Sequence, residues 1–205
     1  MKRIILASGG LDSTALLSTM PKDGNNLILF FNYGQRCVEQ ERKALDKISK
    51  IFSIHVLEMD IKNMFSGSNS DIINLMHINI DNRNHEIPGR NFTFISVAIL
   101  QALQLFPKEE VDIYIGITNV IVDWLDVKKE FISKLNDIAN YLSRGLISIK
   151  APFVDIYKEE VYKIFKNNNK ILSLNDTWSC YYGKDGVPCG KCPACIDIKG
   201  LKQNG

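Results

Sequence analysis

Short apolar runs alternate along this chain with longer stretches of helical spacing, and that alternation constrains the fold more than any other feature. Residues 2–7, 27–31, 54–59, 112–117 and 147–151 read as five strands. Residues 12–20, 37–51, 91–106, 127–142 and 158–166 carry apolar positions at helical spacing between and after them. A parallel strand pair needs a crossover of about a dozen residues, and these helices supply it. The predicted class is therefore α/β, a parallel sheet with helices on both faces and its ligand beyond the carboxyl ends of the strands. The stretch 63–86, rich in Asn, Ser and Gly, is expected to pass over the surface rather than through the core.

Composition matters here mainly by exclusion. Of the 205 residues 45% are hydrophobic and 23% charged, which rules out wholesale disorder. A net charge of +2 says nothing about nucleic acid or membranes, but the chain shows no basic stripe and direct nucleic-acid binding is not expected. No apolar run approaches the roughly 18 residues of a membrane span. The opening MKRIILA has an apolar stretch too short for a secretion signal, and a cytoplasmic location is expected.

Ser8-Gly9-Gly10-Leu11-Asp12-Ser13-Thr14 joins the first strand to its helix. Glycines let the backbone approach an anion, and the helix N-terminus is electropositive. Asp12 can cap the helix or bind magnesium, and an ordinary capped turn uses the same residue types. The string is neither GxxxxGK[ST] nor GxGxxG. Four of the five cysteines, Cys180, Cys189, Cys192 and Cys195, crowd the C-terminal end at spacing C-x8-C-x2-C-x2-C. Such a set can close a structural zinc shell or carry an iron–sulfur cluster. Cys37 stands apart and reads as a small helix residue. His55, His77 and His85 form no triad pattern and read as surface or structural residues.

SGGLDST resembles the PP-loop of adenylating amidotransferases and synthetases such as GMP synthetase, argininosuccinate synthetase and tRNA thiolation enzymes. With FNYGQR at 31–36, PGRN at 88–91, APFVDIYKEEV at 151–161 and TWSCYYGKDGVPCGKCPAC at 177–195, the whole chain resembles the 7-cyano-7-deazaguanine synthase (QueC) family. The resemblance implies an adenine nucleotide alpha-hydrolase-like sheet over 1–176 and a zinc-binding tail over 177–205, in a chain that is commonly dimeric. It implies ATP with magnesium, ammonia, and 7-carboxy-7-deazaguanine as the small-molecule substrate. The carboxylate would be converted through an amide to a nitrile, with ATP split to AMP and pyrophosphate. By the same resemblance Ser8, Gly9, Gly10, Leu11, Asp12, Ser13 and Thr14 would cradle phosphates. Tyr33, Gln35, Arg36 and Asn91 would join them, with Asp12, Ser13, Arg90 and Lys158 in catalytic positions.

One block departs from the family. After Asn119 the usual Gly-Tyr-Pro is absent, Asp126 keeps the position of an Asp, and Val127 and Lys128 replace Cys and Arg. Lysine gives up the planar, two-pronged contact that an arginine offers a carboxylate. Arg90, Asn119, Asp126 and Lys128 are the expected substrate-binding residues. The departure also admits a QueC-like enzyme of the kind found in antiviral gene clusters, passing the activated deazaguanine to an amine such as a protein terminus. A nucleotide-binding module without turnover is the remaining reading.

Overall fold

The computed structural model describes residues 1–73, 85–119 and 124–203. Strands β1 (Lys2–Leu6), β2 (Asn26–Asn32), β3 (His55–Asp60), β4 (Val111–Ile115) and β5 (Ile147–Lys150) form one sheet. Its order is β3-β2-β1-β4-β5, and every neighbouring pair is parallel. The helices are α1 (Leu11–Ser18), α2 (Val38–Phe52), α3 (Arg90–Leu105), α4 (Lys129–Ser143), α5 (Lys158–Asn168) and α6 (Pro193–Gln203). The α/β class and the five strands agree with the sequence pattern to within a residue or two at most ends.

Side chains alternate across a strand, so β1 feeds two separate cores. Ile4 and Leu6 face Ile95, Ala98 and Ala102 of α3 and Ile132 and Leu135 of α4. Ile5 faces the other way, toward Leu16 of α1, Leu45 and Ile48 of α2, and Val161 and Phe165 of α5. A central parallel strand is covered on both sides, which is why its sequence is continuously apolar rather than alternating.

The chain runs outward from β1 through β2 to β3, then returns to place β4 on the opposite side of β1. This reversal opens a crevice at the carboxyl ends of β1 and β4, where ligands of such sheets bind. The loops from those two strands touch: a Cβ added at Gly116 would sit 3.3 Å from the Asp12 carbonyl.

Two expectations need revision. The described part of 63–86 is not purely surface. Phe65 and Ile72 join the α3-side core, and Ser70 and Asp71 are buried with them. Phe65 packs edge-on to Tyr33 and Phe94, at centroid distances of 6.0 and 6.4 Å. Single apolar anchors in a polar string carry no periodicity, so the pattern hid them. The second revision is α6, which the cysteine spacing obscured. Pro193 suits a first helical position, and Ala194, Ile198 and Leu201 recur at helical spacing. Leu201 is buried in the core layer that holds Phe165 and Leu172.

Candidate active site and metal centre

The loop after β1 is shaped by contacts from three directions. Gly9 has φ +80, and a Cβ there would lie 2.9 Å from the Leu45 backbone nitrogen of α2, so only glycine fits. Ser13 and Thr14 turn their hydroxyls onto the Gly10 carbonyl at 3.1 and 2.8 Å, which braces the turn from within. Ser8 is half-buried beside Gly10, and Leu11 is buried in the core. Helix α1 has no capping side chain of its own at Gly10. Instead the Leu11 N–H donates to Ser179 Oγ at 3.3 Å, and the Trp178 N–H donates to the Gly9 carbonyl at 2.9 Å. The C-terminal segment thus supplies the helix cap from 168 residues away.

Lys158, at the start of α5, lies between two carboxylates. Its Nζ is 3.4 Å from Asp12 Oδ2 and 3.5 Å from Asp197 Oδ2 on α6. Burial raises the Asp12 pKa above the usual carboxylate value, and Lys158 pulls against that rise. Burial disfavours the Lys158 cation, but Asp12 and Asp197 outweigh it and hold the ammonium above its ordinary value. Asp12 Oδ1 is buried without a hydrogen-bond partner among the described residues. An orphaned carboxylate oxygen at a loop built for anions fits a phosphate-bound cation such as magnesium.

Arg90 opens α3 and hydrogen-bonds the Tyr33 hydroxyl, and its Nε is buried without a partner among the described residues. Burial works against the guanidinium charge, while Tyr33, Tyr181 and Asp126 favour it and leave it raised. Burial pushes the Tyr33 phenol well above its normal range. Burial raises the Tyr181 phenol above its ordinary value, while Lys158 and Arg90 both pull it down. Asn91 and Asp126 are joined twice: Asp126 Oδ2 accepts from the Asn91 N–H and its carbonyl accepts from Asn91 Nδ2, both at 3.1 Å. That carboxylate serves as a cap for α3, a role the chain gives to no closer residue. Lys128 is the N-cap of α4, and Asn119 is exposed after β4. Residues 120–123, where the sequence departs from the family block, lie outside the described residues, as does His77.

Gln35 is buried and commits its amide to the protein interior. Its Oε1 accepts from the Tyr33 N–H at 2.9 Å, and its Nε2 donates to the Phe31 carbonyl at 2.9 Å and to Glu41 at 2.8 Å. Arg36 donates from Nε to the Asp71 carbonyl at 2.8 Å and lies over the Tyr182 ring. The Cys37 thiol donates to Glu41 at 3.4 Å, and burial pushes its pKa up, so it is no nucleophile.

Glu41 carried no signal of its own in the sequence. Burial raises its pKa to about 7 against the hydrogen bonds from Gln35 and Cys37. A folded-state pKa above the unfolded one means stability that is full below about pH 4.5 and lost as pH rises toward about 7. Glu41→Gln is expected to flatten that dependence, gaining up to about 3 kcal/mol on wild type above pH 7. Chemical denaturation of both proteins from pH 5 to 8.5 tests this. Parallel curves for the two would show that Glu41 carries no such penalty.

The four cysteines of the tail converge. Their Sγ atoms all lie within 4.8 Å of one another, with Cys189 to Cys195 at 4.0 Å and Cys192 to Cys180 at 3.9 Å. The Cys192 thiol and the Cys189 N–H at 3.2 Å donate to Cys180 Sγ, which lowers its pKa to about 4 and favours a thiolate. The turn is closed by Trp178, whose indole N–H donates to the Cys180 carbonyl at 2.9 Å. Gly183 lies under that ring, and a Cβ there would also come within 2.7 Å of the Val187 carbonyl oxygen. The group can hold a metal ion.

The model of the family described as "Queuosine biosynthesis protein QueC" matches residues 2–205. The chain belongs to the QueC family. Curated QueC relatives carry the name 7-cyano-7-deazaguanine synthase. The Methanobrevibacter smithii protein is 31% identical over 97% of this chain and 91% of its own length. A Prochlorococcus marinus protein is 34% identical over 94% of this chain and 89% of its own. Among solved structures, the U34-tRNA thiolase NcsA from Methanococcus maripaludis, with its 4Fe-4S cluster, matches with a TM-score of 0.47 and 12% identity. That match covers 100% of this chain and 67% of the thiolase. Among the described residues no helix is long and apolar enough to cross a membrane.

Proposed function

We propose that this QueC-family chain is an ATP-dependent synthase that turns 7-carboxy-7-deazaguanine and ammonia into 7-cyano-7-deazaguanine. The observation that carries the reading is the Asp12–Lys158 pair over a glycine loop at the sheet's switch point, with Arg90 near Tyr181 beyond it. Adenylation turns a poor leaving oxygen into AMP, so the protein's work is positioning and charge stabilisation rather than covalent catalysis. The substrate carboxylate oxygen attacks the α-phosphorus and pyrophosphate departs. Ammonia adds to the acyl carbon, loses a proton, and AMP leaves, giving the amide. The amide oxygen attacks the α-phosphorus of a second ATP and pyrophosphate departs; loss of AMP and two protons then leaves the nitrile.

Backbone N–H groups of the 8–14 loop other than those of Leu11 and Thr14 hold the departing pyrophosphate. Lys158 neutralises its growing charge, and Asp12 holds magnesium, which supplies further charge neutralisation when bound. Arg90 receives a carboxylate or phosphate oxygen at its buried Nε. The base lies toward Asp126 and Lys128, where a carboxylate can accept from guanine-type N–H donors. Four sulfurs at 3.9 to 4.8 Å suit one tetrahedral zinc, whose thiolates stand about 3.8 Å apart at bonds of about 2.3 Å. A 4Fe-4S cluster puts each thiolate on a different iron and so spreads the sulfurs further.

Incubation with ATP, 7-carboxy-7-deazaguanine and ammonia, read by mass spectrometry, tests the proposal. The nitrile with AMP and pyrophosphate is the expected result. ADP with orthophosphate would overturn the adenylation chemistry. An adenylated carboxylate that accumulates with ammonia but reacts with a peptide amine would move the acceptor to the defence-type conjugation reading.

A further inference from the structure

The two hydrogen bonds from the C-terminal segment to the β1 loop, and the contact of α6 with Lys158, are more than a tail needs for packing alone. Ser179 immediately precedes Cys180, and Asp197 follows Cys195 by two residues on α6. Ser179 Oγ accepts from the Leu11 N–H at 3.3 Å, and the Trp178 N–H donates to the Gly9 carbonyl at 2.9 Å. The approach is close enough that a Cβ at Gly10 would lie 3.3 Å from the Trp178 carbonyl oxygen and 3.5 Å from Ser179 Oγ. Asp197 Oδ2 is 3.5 Å from Lys158 Nζ, on the ammonium that also meets Asp12.

We propose that Ser179 and Asp197 are positioning residues of the nucleotide site, so that the cysteine centre flanked by them sets the geometry of the phosphate loop. The inference rests on the reading of the loop as an ATP site. Helix N-termini leave unsatisfied N–H groups, and a loop that must present several of them to phosphate needs its direction fixed. Ser179 fixes it in place of a local cap. Lysine is a flexible point charge with several rotatable bonds, and two opposed carboxylates hold it where one would leave it swinging. Both devices hang from the segment that Cys180 and Cys195 fasten. Ser179 adjoins Cys180 and Asp197 lies two residues after Cys195, so a metal held by the four cysteines would fasten both beside β1 and α5.

ATP binding to metal-loaded protein, measured by calorimetry beside metal content and melting temperature, tests this. Ser179→Ala is expected to weaken ATP binding about two- to tenfold with the metal still bound, the size of one net hydrogen bond. Asp197→Asn is expected to weaken it by a similar factor, and Ser179→Thr and Asp197→Glu to recover part of each loss. Both weakened variants keeping full metal and near wild-type melting is the supporting result. Variants that lower melting or metal content yet bind ATP as wild type when loaded would overturn the inference and leave the pair merely structural. A wild-type protein that binds ATP, with both variants equal to it, overturns the inference alone. A wild-type protein that binds no ATP overturns the reading of the loop, and the inference with it.

Discussion

Asp12→Asn is expected to cut turnover by about a hundredfold to a thousandfold while the fold stays intact, the range seen when one charge-stabilising group is removed from an active site. The carboxylate lies at the switch point, 3.4 Å from Lys158, with one oxygen that no described residue satisfies. Burial raises its pKa even against the pull of Lys158, so the charged form is held at a net cost in stability that a bound cation would offset. Removing the charge while keeping the shape should therefore leave the melting temperature at or above the wild-type value. The site residue is one the protein would be steadier without. Steady-state rates and calorimetric melts of the two proteins, side by side, decide it. Full activity in Asp12→Asn would mean that the loop is a turn and not a catalytic element. A collapse in stability would mean that Asp12 is held for the fold.

Cys192→Ser is expected to empty the metal centre and release the segment from about residue 177 onward, with the sheet left folded. Closed thiolate shells in small zinc-dependent folds carry apparent binding free energies of roughly 10–16 kcal/mol, far above what the packing of α6 supplies. Cys192 is 99% buried at the middle of the shell and donates toward Cys180, so its loss cannot be covered by solvent. Metal analysis should fall from one ion per chain toward none. Amide exchange should quicken in α6 and around Trp178 while β1, β2 and β4 keep their protection. ATP affinity should fall with it, because the Trp178 and Ser179 bonds to Gly9 and Leu11 go with the segment. A variant that retains metal, or loses sheet protection together with the tail, would contradict the separation of the two parts. Iron and a brown chromophore in the wild-type protein would contradict zinc.

The sheet was legible in the chain because a covered parallel strand must be apolar on both faces and must be followed by a crossover helix. Ile4-Ile5-Leu6 and Ile113-Tyr114-Ile115 could hardly be anything else. The phosphate loop and the cysteine set were legible for a different reason: their chemistry is local, since a turn residue or a ligand spacing is defined within a few positions. Helix α6 and the buried anchors Phe65 and Ile72 escaped because a short helix with one glycine, or one apolar residue in a polar string, has no period to read.

What the sequence by itself determined is the order of elements, the glycine loop after β1, and the spacing of the four cysteines. Only the tertiary structure decided which distant groups complete them. Ser179 reaches Leu11 across 168 positions, Asp197 shares Lys158 with Asp12, Asp126 caps α3 at Asn91, and burial raises the pKa of Glu41. Each of these depends on two segments meeting at a few ångströms. A hydrogen bond or a desolvated charge is set by distance and burial, and neither is written in the spacing of residues along the chain.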